Sequence, residues 1–173
     1  TVAAHFLLSI VLIAGALSLR QRAHQKTPTD FAPIPLVRKL MWVHLLLTIA
    51  VLVMGTIVTG SGPHAGDSTA ERFNLDAKMM SWIHADLVIA LLGVSIALLI
   101  AIKLGESEPI KGVLGRKAQA FLLIALAQGA IGYIQYFTGL PEILVGAHLV
   151  GAVLVWLFAW NLAITGNLAR RRG

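Results

Sequence analysis

The chemistry open to this chain rests on histidine. Its six imidazoles, on His5, His24, His44, His64, His84 and His148, stand in a sequence with no cysteine, which removes disulfides, thiolate metal sites and thiol redox steps from this stretch. Any metal must be held by His, Asp, Glu or Met. A histidine can ligate a metal, relay a proton or hydrogen-bond across a helix interface, and one placed inside a bilayer is costly enough that it usually has a partner. Which histidines share a partner depends on their depth, and depth depends on the elements that carry them.

Those elements are membrane helices. Hydrophobic residues make up 57% of the chain and charged residues 13%, with a mean hydropathy of +0.81, values foreign to a soluble domain of this length. The apolar runs are long enough to cross a hydrocarbon core of roughly 30 Å as helix and too long for barrel strands. The pattern predicts an all-α integral membrane protein with five spans, near residues 1–19, 40–60, 79–102, 117–138 and 142–165. Twelve of the fourteen Lys and Arg residues then fall on one side: Arg20, Arg22, Lys26, Arg38 and Lys39, then Lys103, Lys111, Arg116 and Lys117, and finally Arg170, Arg171 and Arg172. The other side holds only Arg72 and Lys78, beside Asp67, Glu71, Asp76 and Glu142. The positive-inside rule makes the basic side cytoplasmic, and residues 61–78 and the turn Gly139-Leu140-Pro141 exoplasmic. Such basic flanks answer to topology and anionic lipid, so a pI near 10.2 gives no reason to expect a nucleic-acid partner. Thr27 to Pro35 reads as a Pro-rich linker and Gly105 to Gly115 as a second inner loop.

Depth now sorts the histidines. His84 and His148 lie about five and six residues inside the outer ends of the third and fifth spans, and His5 near the outer start of the first. His44 stands about four residues from the inner end of its span, on the order of 20 Å away along the membrane normal. It reads as a packing residue, and His24 and His64 fall in loops. For a single intramembrane histidine the plain reading is an interhelical hydrogen bond. Two at equal depth on parallel helices fit bis-histidine haem ligation, in which facing imidazoles clamp the iron from opposite sides of a flat macrocycle. Gly146, Ala147, Gly151 and Ala152 leave little bulk around His148 to obstruct such a ligand. A zinc or copper site would ask for further donors, and Asp86, two residues beyond His84, points to another face.

Other side chains have two readings each. Arg72 and Lys78 suit haem propionates or a solvated loop, and Asp86 can orient a ligand or simply face water. Gln128 and Gln135 share one face of the fourth span, where they suit cross-helix hydrogen bonds or the lining of a haem pocket. His64 covers a haem edge or belongs to loop architecture, while Trp42, Trp82 and Trp160 read as interface anchors. Val2-Ala3-Ala4-His5-Phe6-Leu7 resembles Val145-Gly146-Ala147-His148-Leu149-Val150 in sequence, depth and direction. That suggests a first helix that closes one repeat and four more that form another.

A longer pattern carries a family resemblance. Gly55-Thr56-Ile57-Val58-Thr59-Gly60-Ser61-Gly62-Pro63-His64-Ala65-Gly66-Asp67 resembles the signature leaving the fifth membrane helix of bacterial haem A synthases. Ile83-His84-Ala85-Asp86-Leu87, and the run from Gln128 through Thr138-Gly139-Leu140-Pro141 to Ala147-His148-Leu149, are similar to the sixth, seventh and eighth helices of that family. The resemblance spans residues 40–165, and Ala3-Ala4-His5-Phe6-Leu7-Leu8-Ser9 resembles the family's fourth helix.

The resemblance implies half of an eight-helix protein built from two pseudo-symmetric four-helix halves, each with a histidine pair for a haem. Residues 1–19 would be the last helix of the N-terminal half, 20–39 a cytoplasmic linker, 40–166 the C-terminal haem-binding bundle and 167–173 a basic cytoplasmic tail. It implies that His84 and His148 are the axial ligands of a haem b. His5 would be one ligand of the substrate, haem O, in the N-terminal half, with its partner histidine and the catalytic acid outside this sequence. The implied reaction oxidises the C8 methyl of haem O to the formyl of haem A, with water as the proposed oxygen source, for cytochrome oxidase assembly in a bacterial cell membrane. Such chemistry needs a redox centre, because no side chain removes electrons from a methyl group. The implied partners are membrane lipid, an unidentified electron acceptor, haem O synthase and oxidase assembly factors, and this stretch alone is expected to be inactive. Two alternatives stand beside it: a membrane b-type cytochrome that only passes electrons, and a non-haem helical subunit or transporter whose histidines pack or relay protons.

Overall fold

The computed structural model describes residues 2–24, 32–62 and 72–168. Its elements are α1 (Val2–Ala23), α2 (Pro35–Ser61), α3 (Ala77–Gly105), a single turn α4 (Glu108–Ile110), a π-helical turn over Lys111–Gly115, α5 (Arg116–Phe137) and α6 (Glu142–Leu168). The described residues contain no strand. Five stretches are long and apolar enough to cross a membrane, as the sequence pattern predicts: Ala3–Ala23, Pro35–Ser61, Ala77–Gly105, Glu108–Phe137 and Glu142–Gly166.

The helices overrun their apolar runs at the basic end. Pro35 opens α2 ahead of Arg38 and Lys39, since a proline in the first turn has no N–H to leave unpaired and the charged tips can stay in water. The expected loop over Gly105–Gly115 is corrected more substantially, because the chain is helical again from Glu108. Pro109 starts that turn, Glu108 pairs with Lys111 at 2.9 Å, and Ile110 and Leu114 are drawn into an apolar cluster with Val37, Leu98 and Leu162.

Inside hydrocarbon a hydroxyl is satisfied most cheaply on its own helix. Ser18, Thr48, Thr59, Ser81 and Ser95 each donate to the carbonyl four residues back at 2.6 to 3.0 Å. The helices then form a ring: α2 packs on α3, α3 on α5, α5 on α6 and α6 back on α2. This is an up-down-up-down bundle in which α3 and α6 run parallel and stand diagonally opposite. Apolar side chains fill it from the basic end to its middle, where Val51, Leu91, Phe121, Ala125 and Ala159 meet.

α1 lies outside the ring against α2 and α6. Trp156 donates its indole N–H to the Ile10 carbonyl at 2.7 Å, Trp160 to Ser18 Oγ at 3.0 Å, and Gln21 Nε2 to Thr165 Oγ1 at 3.2 Å. These pairs ascend together, so α1 and α6 are parallel and in one register. Trp156→Phe should weaken this docking by about 1 kcal/mol, read as a lower midpoint in a thermal melt of the purified chain; an unchanged midpoint would show that the indole bond contributes nothing.

At the basic end the Glu106 carboxylate is buried and accepts from the Ile34 N–H at 2.8 Å. The bond staples the entry to α2 onto the exit from α3. Glu106→Ala strands that N–H and should destabilise by roughly 1–3 kcal/mol, whereas Glu106→Gln keeps an acceptor and should melt closer to the parent. Equal melting of the two variants would contradict this assignment.

Candidate functional site

The site is built where α3 and α6 begin. Asp76 caps α3, its carboxylate accepting from the N–H groups of Lys78 at 2.8 Å and Met79 at 3.2 Å, which fixes the phase of the helix. His84 therefore shares a face with Ala77 and Ser81. α6 follows a reversal in which Gly139 (φ 79°) and Leu140 (φ 61°) are both left-handed, a conformation a leucine adopts only when held there. The Leu140 N–H donates to the Gln135 carbonyl at 2.8 Å, and His148 emerges on the face of Val145.

The two histidines project from diagonal helices, each about two turns inside the start of its helix. Each ring lies on a glycine of the neighbouring helix: a Cβ on Gly55 would stand 3.3 Å from His84 Cε1, and one on Gly132 would stand 3.1 Å from His148 Cε1. Each ring also faces the main-chain carbonyl one turn before that glycine, Val51 for His84 and Gln128 for His148. The same device is thus built twice. The carbonyls stand beside the rings without closing a hydrogen bond: Nδ1 of both imidazoles is buried and has no partner, while Nε2 of neither is sealed in this way. A buried polar atom without a partner is rare enough in native proteins to point to a ligand or a ring movement.

A cavity of about 280 Å³ lies beyond the rings, toward the end away from the basic loops, and neither imidazole lines it. Thr59, Lys78, Ser81, Gln135, Leu140 and Val145 border it, and Ser81 and Val145 stand one turn from His84 and His148. Lys78 places its ammonium 5.7 Å from the centroid of the Trp82 ring. The Arg72 guanidinium donates to the carbonyl of Gly62, another residue of the rim. Both cations expected near a bound acid are therefore at this mouth.

The remaining candidates disperse. Gln128 crosses between helices, its Nε2 donating to the His148 carbonyl at 2.5 Å, and Gln135 reaches the cavity with its Oε1 buried and unpaired. One expectation is corrected here. The room that Gly151 was expected to leave beside His148 is occupied by the Gln128 amide, which a Cβ on Gly151 would overlap, and Ala152 packs toward α1. His5 is exposed on α1, level with His148 by the parallel register but outside the ring of four. His44 is buried in the filled part of the bundle with its ring edge-on to Phe121, centroids 4.2 Å apart. Asp86, Trp42 and Trp82 are exposed, and so is His24 at the end of α1. His64, Asp67, Glu71, Lys26, Arg170, Arg171 and Arg172 lie outside the described residues, as do residues 27–31 of the expected linker and 169–173 of the tail.

No family model matches the chain, and no curated protein or solved structure does. The chemistry is read from the geometry. Among the described residues no three His, Cys, Asp or Glu side chains come together as a metal-binding group. Two imidazoles on diagonal helices are too few to enclose a bare ion, but two such donors would suit a metal that another ligand already holds.

Gly55 and Gly132 belong to the site although neither carries a side chain that could mark them in the sequence. A readable sign exists: a glycine inside a helix costs roughly 1 kcal/mol relative to alanine, and these two stand in the two helices of opposite direction at the depth of the two histidines.

Proposed function

We propose that α2, α3, α5 and α6 hold one haem b between His84 and His148, and that the chain is part of a haem A synthase of a bacterial cell membrane. The observation that carries the reading is the pair of imidazoles on diagonal helices, each seated on a glycine with a carbonyl beside its ring. A small rotation of each ring would let that carbonyl receive the Nδ1 proton, selecting one tautomer and leaving the Nε2 lone pair free for a ligand. A bound haem would supply a one-electron carrier inside the bundle.

The chain's own residues do the rest. Gly55 and Gly132 let the Cε1 edges of the rings come close to the neighbouring helix, and the Gln128 amide ties the His148 turn of α6 to α5. Phe121, Leu91 and Val51 close the bundle on the basic side, keeping water from the level of the histidines. Lys78 and Arg72 stand at the open mouth, where two carboxylates of a ligand would emerge. The reaction comes from the sequence resemblance: oxidation of the haem O methyl to a formyl, with His5 serving a second haem site, an unidentified electron acceptor, and haem O synthase and oxidase assembly factors as partners. On this reading the basic loops are cytoplasmic.

A transmembrane electron carrier needs a second centre near the basic end. There His44 packs against Phe121 with no second imidazole beside it among the described residues, which favours one centre.

Reduced-minus-oxidised and pyridine haemochrome spectra of the purified chain test the reading. A low-spin b-type spectrum near one haem per chain supports it; a well-folded chain free of haem, from a haem-replete host, returns the histidines to helix packing. A plain electron carrier is separated from a synthase by whether membranes carrying this chain with the implied N-terminal half turn haem O into haem A in a His84-dependent way.

A further inference from the structure

A second cavity, of about 290 Å³, lies at the basic end between α1, α5 and α6, and shares no residue with the histidine site. Arg20, Gln21 and His24 border it from α1, Lys117 from α5 and Asn161 from α6. Arg20 and His24, four apart, occupy one face of the last turn of α1. Lys117 is half-buried, and its ammonium donates to Asn161 Oδ1 at 2.7 Å. That leaves the Asn161 NH2 as a further donor. No carboxylate of the described residues borders the cavity, and the one ion pair among them joins Lys111 to Glu108 elsewhere.

A cleft that gathers a guanidinium, an ammonium and an amide donor from three helices, with no acid among its described lining residues, favours a compact anion with several acceptor oxygens. The apolar Leu17 and Ile164 form its remaining wall, facing the depth at which acyl chains would begin. Basic pockets between membrane helices near the headgroup level have this chemistry.

We infer that this cavity binds a phosphate group, either the headgroup of an anionic phospholipid or a soluble phosphate compound, and that the bound phosphate ties α1 to α5 and α6. The inference does not depend on the haem reading, since it uses none of the same residues.

Native mass spectrometry of the purified full chain, incubated with phosphatidylglycerol or phosphatidylcholine, tests it, with inorganic phosphate as the soluble arm. Phosphatidylglycerol should be retained over phosphatidylcholine, and Arg20→Gln and Lys117→Gln should each lower that retention about fivefold. Lys117→Arg should keep it. Lys103→Gln removes an exposed cation from the same end outside the cavity and should change nothing. Arg20 is exposed, so its variant tests the site even if Lys117→Gln folds poorly. Arg20-dependent thermal stabilisation by inorganic phosphate, without lipid selectivity, would assign the same site to a soluble phosphate compound. Equal retention of both lipids with no effect of phosphate, or an equal loss in Lys103→Gln, overturns the inference.

Discussion

Replacing either His84 or His148 by alanine is expected to abolish the low-spin haem spectrum of the purified chain while leaving its helical circular dichroism in place. Both substitutions should have the full effect, because no further imidazole stands beside the pair among the described residues. His5 is exposed outside the ring of four helices and His44 is locked against Phe121 in the filled core. His44→Ala is accordingly the informative companion. It removes the one imidazole that is fully buried among the described residues, should lower the melting midpoint through lost packing, and should retain the spectrum. If His84→Ala or His148→Ala kept a low-spin spectrum, or if His44→Ala lost it, the two-imidazole assignment would be wrong.

The second large effect is expected from residues with no side chain. A Cβ at Gly132 would stand 3.1 Å from His148 Cε1, and one at Gly55 3.3 Å from His84 Cε1, tighter than ordinary carbon contacts. Leucine at either position drives a branched side chain into the space of the ring, so the imidazole must swing off its axis. Loss of such a supporting contact typically costs roughly 10–100-fold in affinity for a ligated metal, so Gly132→Leu and Gly55→Leu should sharply reduce haem per chain. Gly129, on the same helix as Gly132, has open space where its Cβ would be. Gly129→Leu should bind haem as the parent does. Equal occupancy in Gly129→Leu and Gly132→Leu would remove the glycine seats from the account.

Much of this was legible from residues alone. The number of apolar spans follows from counting residues along the chain, and the described helices agree on that number; His84 and His148 stand about equally far inside the starts of α3 and α6. The misreadings share one origin. Gly151 reads as clearance for a ligand because it follows His148 by one turn, yet its space faces α5 and is occupied by Gln128. The segment from Glu108 to Gly115 reads as a loop because its charges and proline interrupt an apolar run, yet Ile110 and Leu114 have a core to enter. In both cases the deciding fact is what stands opposite.

Residue spacing alone was enough for five helices long and apolar enough to cross a membrane, with two histidines equally far along two of them, because position along a helix is a linear quantity set by rise per residue. That α3 and α6 are diagonal, that Gly55 and Gly132 stand against the rings, and that Arg20 and Lys117 meet across one cavity came from the packing of the helices. Those are matters of which way each helix faces. In water the apolar stripe announces the inward face; in lipid the surroundings are as apolar as the core, so Leu12 and Ile143 on the outside carry the same hydrophobic character as Leu98 and Phe121 within. Rotation about the helix axis is therefore set by close packing, glycine by glycine, and becomes visible only when the helices are brought together.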